Sequence, residues 1–153
     1  MRLVENHPLD LAPLAGLLAD KDDLFLVWPA ARHPFDPDQW AAALDPAAGN
    51  RDFLVHLDDR LVGHAALRTT PEEGVWAVSC LYLRPECRDR GLGGQLMAAL
   101  EDFARRKLGA RRLVLRVRTY NPRARACYEK VGFRTCATED TLVLMAKELA
   151  GTE

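Results

Sequence analysis

The stretch Arg88-Asp89-Arg90-Gly91-Leu92-Gly93-Gly94 puts three glycines and two arginines into a single turn. Amides at the start of a helix have no partner inside it, and the helix dipole makes that end positive. A turn of this kind opening a helix is an anion site, best suited to a phosphate or pyrophosphate. Gly91, Gly93 and Gly94 remove side chains where a ligand must come close to the backbone. Arg88 and Arg90 add formal charge. Taken alone, the stretch also reads as a tight turn whose glycines only satisfy geometry. No Lys-Ser/Thr pair follows the glycines, so it is not a Walker-type loop, and the first glycine of a G-x-G-x-x-G fingerprint is out of place.

Other residue types are suited to acid–base or nucleophilic work. His64 sits in a strand-like run, and a neutral imidazole on a cleft is a suitable general base; a hydrogen-bonded, half-buried histidine is the alternative. Cys80, Cys87, Cys127 and Cys136 form no C-x-x-C pair, which supports neither a zinc knuckle nor a thioredoxin-type motif. No metal-ligand cluster is readable, and no metal is expected. Trp28, His33 and Phe35, with Trp40, make a candidate aromatic-walled acceptor pocket, and Asp22 or Asp23 would draw in a cation. The alternative is that Trp28 and Phe35 staple their loop to the sheet.

The elements that must position these residues follow from period and punctuation. Val75–Leu83 reads as a strand running into the glycine turn. Leu92, Leu96, Ala99, Leu100 and Phe103 recur at helical spacing, which predicts a helix over Leu92–Leu108 ending near Gly109. Arg112–Arg118 alternates apolar and basic residues, a strand with one wet face. Asn121-Pro122 starts a helix, with Asn as cap and Pro at its first position, and Gly132 stops it. Upstream, Met1–Glu5 is a short strand, and a helix follows Asp10. Asp22–Pro37 reads as loop, and Gln39–Leu44 as a short helix introduced by Asp36 or Asp38. Asp52–Leu57 and Leu61–Leu67 make a hairpin around Asp58-Asp59-Arg60. Phe133–Cys136 and Thr141–Lys147 are the final strands. The fold class is α+β, with a mixed, mostly antiparallel sheet flanked by helices.

The 153 residues suit one domain, 1–153, able to bury its own core. No apolar run approaches the ~20 residues that span a bilayer, and no signal peptide is apparent, so no membrane partner is expected and the cytoplasm is the expected location. Net charge is −1, but residues 1–83 carry −7 and residues 84–134 carry +9. That asymmetry fits an anionic cofactor on one half and a cationic substrate on the other, or solvated helix faces and chance.

Two motifs then combine. Arg88-x-x-Gly91-x-Gly93 resembles the R/Q-x-x-G-x-G/A signature of the GNAT (GCN5-related N-acetyltransferase) superfamily. About thirty residues later, Asn121 to Phe133 is similar to the family's second signature, N-x-x-A-x-x-x-Y-x-x-x-G-F, through Ala124, Tyr128 and Gly132. The pair covers Val75–Phe133 and is far more specific than either part. The resemblance implies the GNAT fold, with the sheet splayed near Leu81–Leu83, and acetyl transfer from acetyl-CoA to a primary amine of a small molecule or peptide by direct attack in a ternary complex. It implies that the backbone at Leu81 and Leu83 pairs with the pantetheine arm. Arg88 opens the first signature, and Asp89, Arg90, Gly91, Leu92, Gly93 and Gly94 form the pyrophosphate loop. Asn121 contacts the cofactor arm, and Tyr128 protonates the departing CoA sulfur. A phenol with an ordinary pKa of ~10 can donate at neutral pH. A homodimer is a further implication; nucleic acid is not, since the basic charges have a better use on CoA phosphates. The sequence departs from one ribosomal-protein-acetylating branch, which has a glutamate base five residues before the Asn; Arg116 stands there. A non-catalytic CoA-binding module and an enzyme with another acyl donor or a hydroxyl acceptor are the alternative functions.

Overall fold

The computed structural model describes residues 1–149; residues 150–153, the tail of the expected 1–153 domain, lie outside the described residues. Among the described residues the order is β1 (Arg2–Glu5), α1 (Ala12–Leu17), α2 (Lys21–Val27), α3 (Pro37–Ala43), β2 (Arg51–Leu57), β3 (Arg60–Thr69), β4 (Val75–Leu83), α4 (Leu92–Leu108), β5 (Arg112–Arg118), α5 (Pro122–Lys130), β6 (Arg134–Glu139) and β7 (Leu142–Glu148).

The strands form one sheet in the order β1-β2-β3-β4-β5-β7-β6. Every pairing is antiparallel except β4 with β5. That parallel pairing joins Val75, Trp76 and Ala77 to Arg112, Leu113 and Val114 and then stops. Beyond Ala77, β4 runs to Leu83 with its β5-facing edge open. This is the expected splay, starting earlier in the strand than Leu81.

Local chemistry explains most boundaries. Asp58 and Asp59 both have positive φ, 49° and 65°, the geometry of a two-residue turn that matches strand twist. Asn121 caps α5 by accepting the Ala124 amide at 3.3 Å, and Pro122 takes the first turn. Asp36, rather than Asp38, caps α3, accepting from the Asp38 and Gln39 amides.

One expectation is corrected. The stretch Asp22–Pro37, read as loop, begins inside helix α2. Asp20 accepts the Asp23 amide at 3.0 Å, Asp22 and Asp23 stand in the first turn where the helix end is positive, and Leu24 is fully buried. The turn signals of Pro29, Pro34 and Pro37 extend only over the second half of that stretch.

The sheet separates two cores. One face meets α4 through Leu92, Leu96, Met97, Leu100 and Ala104, with Ala124 and Tyr128 of α5 and its C-cap Val131 packed beside them. The other face meets α1, α2 and α3 around Leu14, Leu24 and Trp40, with Ala66 and Tyr82 from the sheet. Trp40 is completely buried, with Trp28 edge-on at 4.9 Å and Phe35 stacked at 5.4 Å. Trp40→Ala is therefore expected to cost about 3–5 kcal/mol of stability. Urea denaturation checks it, and a loss below about 1 kcal/mol would mean that this layer is held elsewhere.

Candidate active site

The glycine turn is built by two backbone devices. Asp89 and Gly91 both sit at positive φ, 61° and 76°, and Gly91 is the residue that caps α4. The chain thereby reverses and sends its amides outward. Among the described residues, none of the six amides from Asp89 to Gly94 donates to the protein; the first to find a partner is Gln95, bonded to the Gly91 carbonyl at 3.3 Å. A Cβ added at Gly91 would meet no atom within 4 Å, so there is open space beside the turn. Six free donors at the positive end of a 17-residue helix are a ready anion cradle.

Helix α5 flanks that cradle. A Cβ on Gly93 would lie 3.6 Å from the Cys127 sulfur, and one on Gly94 would lie 3.9 Å from Val131, ordinary contact distances that place α5 alongside the start of α4. Arg123 of α5 pairs with Asp89 of the turn. Tyr128 is half-buried on the inner face of α5 and meets Phe133 edge-on at 6.2 Å. Its hydroxyl has no hydrogen-bond partner among the described residues. Burial, helped by the neighbouring Cys127, pushes its phenol up to about 12. The Asn121 carbonyl oxygen is spent on its cap, which leaves the side-chain NH₂ free to donate.

Arg88 is placed differently from the expectation that its charge faces the anion. Its Nε donates to the Leu83 carbonyl at 2.9 Å, its guanidinium lies 5.5 Å from the centre of the Tyr82 ring, and it stands 3.6 Å from Asp23. Tyr82 donates its hydroxyl to the same Asp23 at 2.9 Å. Burial first, and then this bond, push the Tyr82 phenol up to about 12. The three residues clasp α2 to the end of β4. Arg90 is exposed.

The acceptor-side residues divide. Trp28 and Phe35 pack on Trp40, which makes them staples of their loop. His33 is exposed and lies 6.3 Å from Phe25 of α2, edge-on. Phe25 and Leu26 are 38% and 52% exposed, so the apolar surface offered on this side belongs to α2. The sequence held a signal for it in Asp20 followed by two acids and Leu24.

His64 does not face the cleft. It is fully buried, with Nδ1 2.8 Å from the Cys80 carbonyl and Nε2 2.6 Å from Asp52. A carbonyl only accepts, so Nδ1 carries a hydrogen, and Nε2 is closed off by the carboxylate. Asp52, unnoticed in the sequence, in turn accepts from Asn6 at 2.8 Å. Among the described residues no group of three or more His, Cys, Asp and Glu could hold a metal ion, and no helix is long and apolar enough to cross a membrane.

Comparison with known proteins fits this geometry. The model of the Acetyltransferase (GNAT) family matches residues 18–133. YhfO, an uncharacterized N-acetyltransferase of Bacillus subtilis (strain 168), is 34% identical over 67 residues, which are 44% of this chain and 42% of that protein. The chain thus matches less than half the length of that relative. The spermidine N-acetyltransferase from Vibrio cholerae, solved in complex with CoA and spermine, has a TM-score of 0.78 and 17% identity over 96% of this chain and 94% of the other. The GNAT domain of S. lividans PAT reaches a TM-score of 0.81 at 14% identity, over 97% and 90%. These two likenesses fix the fold.

Proposed function

The chain belongs to the GNAT acetyltransferase family, and from that premise we propose that it transfers an acetyl group from acetyl-CoA to a primary amine by direct attack in a ternary complex. The observation that carries this reading is the run of six unpartnered amides from Asp89 to Gly94, beside a β4 edge that lacks a β5 partner beyond Ala77. A pyrophosphate and an extended amide-bearing arm are complementary to those two features.

Acetyl-CoA, when bound, supplies the acyl group and a thiolate leaving group. The amides of residues 89–94 hold its diphosphate, with Arg90 adding charge. The backbone at Leu81 and Leu83 lies along the arm as a neighbouring strand would, and an N–H there donates to the acyl oxygen as negative charge develops on it. The Asn121 NH₂ donates to the arm, and the Tyr128 hydroxyl donates to the departing sulfur. Arg88 takes the indirect role of fixing the Leu83 carbonyl. The amine enters from the α2 side, past Phe25 and His33, with Trp28 and Phe35 supporting that wall from behind. Its proton leaves by water, since Arg116 stands where a relative's glutamate would. A cytoplasmic setting belongs to the same proposal, and four unpaired cysteines fit it.

Calorimetric titration with acetyl-CoA, followed by a thiol-release assay over a panel of amines, tests the reading. Micromolar binding and amine-dependent thiol release are expected. A folded protein that binds no acetyl-CoA would overturn it in favour of an interaction module.

A further inference from the structure

Strand β4 is not regular. His64 pairs with Tyr82 and Ala66 with Ser79, so a single β3 residue, Ala65, faces two β4 residues, Cys80 and Leu81. At this bulge Cys80 adopts φ 52°, a left-handed conformation that a residue with a Cβ holds only when its surroundings impose it. The bulge shifts the phase of the strand. Val78 faces the α4 core, Cys80 and Tyr82 face the α1–α3 core, and Leu81 and Leu83 return to the α4 side. The segment whose open edge is proposed to receive the donor therefore begins at the bulge.

A line of hydrogen bonds drawn from four segments meets the strand at this bulge. Asn6, just past β1, donates to Asp52 on β2; Asp52 faces His64 on β3; His64 donates to the Cys80 carbonyl on β4. Asp52 and His64 are 5% and 0% exposed. The ladder is interrupted at this carbonyl, and the imidazole supplies the missing donor. Gly63 completes the arrangement, because a Cβ there would collide with the Tyr82 carbonyl. The carboxylate behind Nε2 fixes the ring's orientation.

We propose that His64 is a positioning residue for acyl transfer: backed by Asp52, it holds the Cys80 bulge so that the Leu81–Leu83 edge faces the acyl group. This rests on the acetyltransferase reading above. It also replaces the role of general base, because neither ring nitrogen is available to an incoming amine.

The test uses the different reach of two amides. In His64→Asn the side-chain NH₂ takes the place of Nδ1 and keeps the bond to Cys80 while losing Asp52. In His64→Gln the NH₂ takes the place of Nε2, keeping Asp52 and losing Cys80. With equal melting temperatures as the folding control, His64→Gln is expected to lower kcat at least about tenfold with acetyl-CoA affinity unchanged, and His64→Asn to stay within about threefold of wild type. The acidic limb of the pH–rate profile is expected to be the same in His64→Asn as in wild type. Loss of that limb, or equal loss of rate in both variants, would restore the base and overturn the positioning role. An active glutamine variant beside an inactive asparagine one would overturn it too. Should His64→Gln not fold, His64→Asn serves as the second variant, and a loss of kcat well beyond threefold in it counts against the proposal. Hydrogen exchange at the Leu81–Leu83 amides reads the brace without any turnover. Faster exchange is expected in His64→Gln, and unchanged exchange would overturn the brace itself. A wild-type protein that binds no acetyl-CoA, with exchange at those amides still altered in the variant, would instead locate the failure in the acetyltransferase reading.

Discussion

Acetyl-CoA binding is expected to disappear from Gly91→Glu while the domain stays folded. Gly91 stands at φ 76° as the N-cap of α4, inside the cradle, and nothing lies within 4 Å of where its side chain would begin. The new carboxylate has room, and the room is where the diphosphate is proposed to sit. Two unit charges of like sign about 5 Å apart repel by about 3 kcal/mol at an effective dielectric near 20, which is roughly a hundredfold in affinity before any steric term. The left-handed backbone adds a separate cost of roughly 1–2 kcal/mol for any residue with a Cβ. Gly91→Ala carries only that second cost, so it should lose some stability and keep most of its affinity. Calorimetry on both variants, with circular dichroism for folding, separates charge from strain. Undiminished binding by the folded glutamate variant would move the anion site away from this turn.

Tyr128→Phe is expected to lower kcat by about 10²–10⁴-fold, the range for removing a proton donor from a transition state, with acetyl-CoA affinity within a few-fold of wild type. Among the described residues the hydroxyl has no acceptor, so its loss should leave the fold and the cradle as they are. The pH dependence sharpens the expectation. Burial holds the phenol neutral up to about 12, so no alkaline limb from this residue should appear in the rate profile below that pH. The folded state binds this proton more tightly than the unfolded chain, whose tyrosine titrates near ~10. Its contribution to stability is thus complete below about pH 10 and lost as pH rises through about 12. Tyr82, also raised to about 12, adds to the same decline. The phenylalanine variant should lose stability less steeply above pH 10 in denaturant titrations. An unchanged turnover number would remove Tyr128 as the acid.

What could be read from sequence was local. Asn121-Pro122 and Gly109 specify their helix ends through backbone chemistry that needs no distant partner, and the structure has them in those positions. The same holds for the glycine turn, whose conformation depends on Asp89 and Gly91 themselves. What escaped depends on residues that meet only after folding. Arg88 turns inward because Asp23, Tyr82 and the Leu83 carbonyl converge on it from two elements. His64 reads either as a cleft base or as a hydrogen-bonded, half-buried histidine until Asn6, Asp52 and Cys80 are brought around it. The bulge at Cys80 has no marker, since a cysteine at positive φ is dictated by neighbours and not by its own preference. Helix α2 was hidden by the prolines that follow it, although Asp20, Asp22 and Asp23 announced its start.

The three-residue seam between β4 and β5 divides the sheet into two antiparallel ladders, β1 to β4 and β5-β7-β6, that share almost no backbone bonds with each other. Mechanically this is a book with a short spine. On the proposed reading, the donor lies in the gap, bonded to one page along its edge, while its phosphates grip the helix that leads to the other. Occupancy then acts as binding thread, and the melting temperature becomes a gauge of donor concentration: a ligand at a hundred times its dissociation constant adds about 2.7 kcal/mol to the folded state. On that reading the protein is expected to be firmest when its donor is abundant and most open to unfolding and proteolysis when the supply fails.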